Sequence, residues 1–418
     1  MYDIAIYKLS QDSYNLNYIL MKTLTKGSDL MKIIVAPDSF KGSLSAVEAA
    51  NAIDKGIKNA FPEAETVLIP VADGGEGTLE TLVAATKGEI RNVVVIDPLG
   101  NKVEAGYGVL GDKKTCVIEM AAASGLTLIS NEELSPLEAT TYGTGQLIKQ
   151  ALDDGFTSFV VGLGGSATND GGAGMLQALG LKISDADGNE IGYGGGSLDK
   201  IASIDTNSFD SRIKGCKFLI ASDVENPLIG SNGASHIFGP QKGATPEIIA
   251  QLDQNLAHWA NQVAKVTGIR MHDMPGAGAA GGIGGAFQAF FPCEVERGID
   301  VVLEYSNINK FLTGTDLVIT GEGRVDEQTA SGKTPMGVAQ IAKMQGIPTV
   351  IMAGSVSEDA AVLHDFGVVS IHSIINKPMT LEEAVRNAAV LLEWSAEQVV
   401  RSYFHSINYI KGGAIYGN

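Results

Sequence analysis

The sequence predicts an α/β protein of two domains, one of them divided in the chain by insertion of the other. Two stretches carry short apolar, β-rich runs alternating with helical patterns of about 10–15 residues, the rhythm of a parallel sheet covered by helices. Between them the rhythm changes to hairpin punctuation and glycine-rich loops. Glycine is also over-represented, at 51 of 418 residues or about 12 %, against about 7 % in ordinary chains. At about 150 residues per domain, the length suits two or three domains.

The elements follow in order. Residues 1–30 lack a basic start, a continuous apolar stretch and a small-residue cleavage site, so they read as an extension outside the fold rather than a signal peptide. From Met31, KIIVAP (Lys32 to Pro37) is a strand, and a helix opens near Ser43 to Ser45 and runs to Ala60. TVLIPVA (Thr66 to Ala72) is the next strand and Gly75 to Thr86 the next helix. NVVVIDPLGNKVEAGYGVL reads as a hairpin turning at Pro98-Leu99-Gly100-Asn101. A helix from Gly143 to Gly155 leads into FTSFVVGLGG, and later come an amphipathic segment, Pro246 to Val266, and the small-residue stretch GAGAAGGIGGAF. Alternation then resumes with strand Asp316 to Gly321, helix PMGVAQIAKMQG, strand Pro348 to Gly354, the run VVSIHSI and a final helix, Leu381 to Phe404. The divided domain is thus expected at 31–88 and 292–408, the inserted domain at 89–291, and a tail at 409–418.

Composition excludes several classes. Thirty basic against 48 acidic residues give a net charge of −18, a field that repels a nucleic-acid backbone. Cys116, Cys216 and Cys293 are too scattered for a metal site and suit a reducing compartment. No run of about 18 apolar residues exists to span a membrane. The expectation is a cytoplasmic protein, monomer or homodimer, whose partners are small molecules.

Four loops at strand ends share glycine, hydroxyl and carboxylate residues. The first, APDSFKGS, offers Asp38, Ser39, Lys41 and Ser43; the second, VADGGEGT, offers Asp73, Gly74, Gly75, Glu76 and Thr78. The third, GLGGSATNDGG, offers Gly165, Ser166, Thr168, Asn169 and Asp170. The fourth, GEGRVDEQTASGKTP, offers Glu322, Arg324, Asp326, Gln328, Thr329 and Lys333. Glycine at a strand-to-helix turn lets backbone N–H groups approach an oxyanion, and the helix N-terminus adds partial positive charge. Carboxylates beside such turns hold Mg²⁺ or take a hydroxyl proton, and lysine neutralises phosphate oxygens. Four such loops fit phosphoryl transfer to a hydroxyl better than a hydrolase triad.

Other motifs are weaker. SGKT lacks the first glycine of a Walker A loop, whose place Glu327 takes. Gly162 to Ala167 formally matches GxGxxA, with Asp185 or Asp187 about 20 residues on, which leaves a nicotinamide-dependent hydroxy-acid oxidoreductase as an alternative. GAGAAG at Gly276 to Gly281 fits close helix packing and a second backbone cradle equally well. Ser166 is not in GxSxG, the six histidines have no metal spacing, and a two-lobed binding protein lacks an export signal.

Taken together, APDSFKGSLSA, DGGEGT, GGSATNDGGAGM, SDVENPL with FGPQKGA, GAAGGIGGAF and DLVITGEGRVDEQTASGKTP resemble the bacterial type I glycerate kinase family, from about Met31 to about Phe404. The resemblance implies a flavodoxin-like domain interrupted by a second α/β domain. It also implies ATP- and Mg²⁺-dependent phosphorylation of D-glycerate, mainly at the 2-hydroxyl to give 2-phosphoglycerate; a related small hydroxy acid, or 3-phosphoglycerate as product, are the nearest alternatives. Family members begin at the position of Met31. Within that reading, Asp73 is the first expectation for the base and Asp170 the second, while Lys41 or Arg324 meets the substrate carboxylate and Glu322 with Asp326 holds the metal. Asp38, Ser39, Ser43, Gly74, Gly75, Glu76, Thr78, Gly165, Ser166, Thr168, Asn169, Gln328 and Lys333 complete the expected binding set.

Overall fold

The computed structural model describes residues 31–326, 329 and 334–413. The extension 1–30, the end of the tail, Gln328 and Lys333 lie outside the described residues. In chain order the strands are β1 (Lys32–Val35), β2 (Glu65–Leu68), β3 (Glu89–Ile96), β4 (Lys102–Val109), β5 (Thr115–Glu119), β6 (Ser158–Gly162) and β7 (Lys182–Ser184). There follow β8 (Ser203–Asp205), β9 (Lys217–Ala221), β10 (Cys293–Glu296), β11 (Leu317–Val325), β12 (Thr349–Val356) and β13 (Val368–Ser373). The principal helices are α1 (Ala46–Ala60), α2 (Thr78–Thr86), α3 (Tyr142–Asp153), α4 (Ala173–Ala178), α5 (Pro246–Thr267), α6 (Ile283–Phe290), α7 (Gly298–Tyr305), α8 (Thr334–Met344) and α9 (Ala388–Gly413).

Five strands form an all-parallel sheet in the order β2-β1-β11-β12-β13. With the inserted strands left out of the count this is 2-1-3-4-5, the flavodoxin-like order, and its reversal point lies between β1 and β11. The second sheet runs β10-β9-β6-β5-β4-β3; its first four strands are parallel, and β3 and β4 form the antiparallel hairpin expected around Pro98.

Local chemistry sets the helices. Ser45 and Glu48 make a reciprocal capping box at α1, with Glu48 N donating to Ser45 Oγ at 3.2 Å and Ser45 N to Glu48 Oε2 at 2.9 Å. Thr245 caps α5, Pro246 occupies its first turn, and Gly268 ends it in the left-handed region. The apolar alternation of the strands then feeds different cores. On β1, Ile33 and Val35 pack with α1 and α9, while Ile34 faces the opposite side. On β5 and β6, Cys116, Ile118, Phe159 and Val161 enter the large core of the second sheet, beneath α3, α5 and α6. Val117 and Val160 point the other way and share a core with Ile34, Val318, Leu79, Leu82 and Val302. Helices α2 and α7 are therefore sandwiched between the two sheets, which fixes the strand ends of one against those of the other.

Several boundaries differ from the sequence reading. Cys293–Glu296, expected in the divided domain, pairs with β9 and so belongs to the second sheet. β2 stops at Leu68, two residues before Pro70, which has no N–H to extend a ladder. β11 continues through the supposed loop to Val325, because Glu322 and Arg324 pair with Ala353 and Ser355 of β12. The final helix is interrupted at Asn387, separating a short Leu381–Arg386 helix from α9.

Candidate active site

The loops after β2 and β6 meet backbone to backbone. A Cβ on Gly164 would lie 2.5 Å from Gly75 Cα, and one on Gly162 would lie 2.7 Å from the Gly74 carbonyl oxygen. Gly74, at φ +87°, is pinned between the Ala221 carbonyl and Gly298 Cα. Only glycines permit this seam. It joins the acidic turn of the first sheet to the glycine loop of the second. At the turn, Asp73 Oδ1 accepts from Gly75 N at 3.0 Å.

Asp38 stands at the reversal point, its backbone N–H donating to the Gly321 carbonyl at 2.8 Å. Its side chain is buried, with Oδ1 accepting from Ser39 N at 2.6 Å and Oδ2 from Thr334 Oγ1 at 2.6 Å. Burial first, and then the negative charges of Asp73 and Glu322, raise its carboxyl to about 7, against the donated bonds. Glu322 accepts from Thr329 Oγ1 at 2.6 Å. Exposed Lys41 lies on the turn beside β11, its backbone N 3.4 Å from where a Gly323 Cβ would stand. Asp73 and Glu322 thus both bear on Asp38, each from a different chain segment.

Asp223, which the sequence reading did not select, joins this group. It follows β9, accepts from Gly298 N at 3.1 Å, and is raised to about 6 by burial and by Asp73. Glu119, at the end of β5, was also missed. Its Oε1 accepts from Leu79 N at 2.7 Å, so the second sheet caps the first turn of α2; burial raises this carboxyl to about 7.

The glycine loop has its own interior. Thr168 and Asn169 are fully buried, and Asn169 Nδ2 donates to Ser235 Oγ at 2.9 Å. Thr168 Oγ1, Asn169 Oδ1 and, across the seam, Thr78 Oγ1 are buried without a partner among the described residues, a costly state for polar atoms unless something meets them. Gly165 turns the loop at φ +76° and accepts from Leu126 N at 2.9 Å. A lysine absent from the expected set, Lys242, is buried beneath it and donates to Ser166 Oγ and to the Thr168 carbonyl, both at 2.7 Å. The stretch around Gly281 and Gly282 packs behind this loop: Gly171 N donates to the Gly281 carbonyl at 3.0 Å, and a Gly282 Cβ would lie 2.7 Å from Gly171 Cα.

Several expected residues sit differently. Asp170 is completely enclosed. Its Oδ2 accepts from Thr141 N, Thr141 Oγ1 and Gly174 N and its Oδ1 from Gly172 N, at 2.8–3.3 Å, so it ties the starts of α3 and α4 together. Burial raises its carboxyl in spite of these donors. Ser43 Oγ donates to the Val385 carbonyl at 2.8 Å, away from the carboxylates. Arg324 is exposed and pairs with Asp326, Nε to Oδ2, at 3.0 Å. Glu76 is exposed on its turn. Asp185 follows β7 and accepts from Asp187 N and Asn189 N within a turn, but β7 lies in the separate two-stranded sheet with β8 and not in the parallel sheet that carries Gly162, where a ribose hydroxyl would be met.

Among the described residues, no three His, Cys, Asp or Glu side chains are arranged to hold a metal. A cage made by protein alone is not what nucleotide chemistry needs, since Mg²⁺ is ordinarily held by one or two carboxylates and the phosphates. The mutual charge that raises Asp38 is one a divalent cation would relieve, so this donor set fits that ion.

The same arrangement has relatives. The model of the glycerate kinase family matches residues 33–404. The chain is 52 % identical over 358 residues to the glycerate 2-kinase of Escherichia coli (strain K12), covering 86 % of this chain and 94 % of that one. It is 50 % identical over 372 residues to the glycerate kinase of Bacillus subtilis (strain 168), covering 89 % and 97 %. A crystal structure from Salmonella typhimurium LT2, assigned as a glycerate kinase 2, superimposes with a TM-score of 0.81 at 46 % identity over 90 % of this chain and 99 % of that one. With the motifs, the strand order and these relatives in agreement over almost the whole described chain, the protein belongs to the glycerate kinase family.

Proposed function

We propose that the protein transfers the γ-phosphoryl group of ATP to the 2-hydroxyl of D-glycerate, at the seam between its two sheets. The observation that carries this reading is the contact of the Asp73 turn with the Gly162–Ser166 loop, which sets an acidic group beside an oxyanion cradle. The relatives named glycerate kinase and glycerate 2-kinase supply the acceptor.

The division of labour follows from the chemistry of each group. Asp73, oriented by Gly75 N, takes the proton of the acceptor hydroxyl. The glycine loop, with Ser166, Thr168 and Asn169, donates to phosphate oxygens, and Lys41 with Arg324 meets the substrate carboxylate. Mg²⁺, when bound, neutralises charge on the phosphates, and Glu322 with Asp38 would hold it. Asp326, already paired with Arg324, is the lesser candidate. Asp170 serves as a clamp and not as a base. We further assign residues 31–88 and 297–408 to one domain and 89–296 to the other, since β10 pairs with β9 in the second sheet, and their closure over the substrates excludes water from the transferable phosphate. We take the enzyme to be cytoplasmic and monomeric or homodimeric; no described helix is long and apolar enough to cross a membrane.

The test is incubation with ATP, Mg²⁺ and D-glycerate, with the product read by phosphorus NMR. The 2-phosphoglycerate resonance, dependent on glycerate, is expected. Exclusive 3-phosphoglycerate would overturn the regiochemistry, and ATP left intact would overturn the reaction.

A further inference from the structure

Lys242 is 1 % exposed, at the end of the Pro240–Lys242 turn, and no carboxylate among the described residues forms an ion pair with it. A buried ammonium without a counterion is costly, and such groups concentrate where a negative ligand completes them. The groups facing Lys242 from the glycine loop are the Ser166 hydroxyl, the Thr168 carbonyl and, as the charged group acting on it, Asp170. On its own turn its N–H donates to the Gly239 carbonyl, and the adjoining Gly243 packs on Leu134; both are uncharged.

The bonding has a direction. An ammonium carries three donors and no acceptor. While Lys242 is protonated, Ser166 Oγ must accept from it, and the Ser166 proton has to point away from the lysine. Ser166, at 7 % exposed, is the outermost member of this chain of contacts. We infer that Lys242 is a positioning residue of the phosphotransfer site, which holds the Ser166 hydroxyl as a hydrogen-bond donor to a substrate oxyanion. The inference rests on the phosphotransferase reading above and adds a residue and a protonation requirement to it.

Loss of the proton releases this constraint. A neutral amine has a lone pair able to accept from Ser166, so the hydroxyl is no longer held outward as a donor and is free to turn inward, away from the ligand. Burial lowers Lys242 to about 7, although Asp170 opposes this, so the release falls within the accessible pH range. Oxyanion binding and protonation of Lys242 then favour each other. The oxyanion is either a phosphate oxygen of ATP or the carboxylate of glycerate, and separate KM values distinguish the two.

The experiment measures kcat, KM for ATP and KM for D-glycerate from about pH 6 to about pH 9 in the wild type, Lys242→Met and Ser166→Ala. In the wild type one of the two KM values is expected to rise, approaching about tenfold per pH unit above the amine's pKa, with the other flat. Both variants are expected to show that KM already raised at low pH and without the alkaline rise, and the double variant to be no worse than either single one. Ser166→Ala leaves the lysine in place, so it carries the test if Lys242→Met does not fold. A wild-type KM flat across the range, or a rise that survives in either variant, overturns the inference. Absence of ADP formation by the wild type would strike the phosphotransferase reading itself, and this inference with it.

Discussion

Gly164→Ala probes the seam directly. The added Cβ would lie 2.5 Å from Gly75 Cα, whereas ordinary contact begins at 3.4 Å, so Gly75 must retreat by 3.4 − 2.5 = 0.9 Å. Both partners are backbone, with no flexible side chain to absorb the overlap. Gly75 N is the donor that orients Asp73, so the carboxylate moves with it. Overpacking of this kind costs about 1–3 kcal/mol of stability, and a displacement near 1 Å at a reacting group costs about 100-fold in rate. Coupled ADP-release kinetics should therefore show kcat down by about two orders of magnitude in a variant whose near-ultraviolet circular dichroism remains native. Gly215→Ala is the control, because a Cβ there meets nothing within 4 Å and its backbone is unstrained. A folded Gly164→Ala enzyme with kcat close to that of the control would refute the claim that this contact positions Asp73.

Three further outcomes are expected. Ser45→Ala removes the capping box of α1 and should lower stability by about 1 kcal/mol in urea unfolding while leaving kcat unchanged; an unchanged midpoint would show that the cap is idle. Asp38 titrates at 3.8 when unfolded and about 7 when folded, so the folded state keeps a proton the unfolded state has released, and stability falls as pH rises through that interval. Asp38→Asn should make the corresponding fall in Tm shallower, leaving the shares due to Glu119, Asp223 and Asp170; identical profiles for variant and wild type would contradict this. Lys41→Ala should raise KM for glycerate about tenfold or more, as expected for loss of a charge-assisted bond, and equal KM values would make that loop purely structural.

Much of the fold is legible in the chain because it is written locally. β1, β11 and β12 are short apolar runs buried on both faces, Pro98 to Asn101 marks its hairpin, and Ser45 with Glu48 announces α1 three residues apart. The extension of β11 is not local. Glu322-Gly323-Arg324 looks like a turn until β12 pairs with it. The site divides in the same way. Asp38, Asp73 and Ser166 are visible because they follow strands in glycine-rich loops, and Asp223 follows β9 by the same rule, although no glycine stands near it before Gly230. Lys242 is invisible for a different reason: its partner Ser166 lies 76 residues away, and its significance comes from burial. Asp170 misleads because its clamp, Thr141, lies 29 residues upstream. A carboxylate satisfied by backbone donors looks, in sequence, the same as one waiting for a substrate.

Asp73→Asn, assayed at saturating ATP and D-glycerate, bears most directly on the proposal that Asp73 takes the acceptor's proton. Loss of a general base at this position should lower kcat by about 10²–10⁴, with both KM values within a few-fold of wild type, since the amide keeps the bond from Gly75 N. A variant that turns over at the wild-type rate would contradict it.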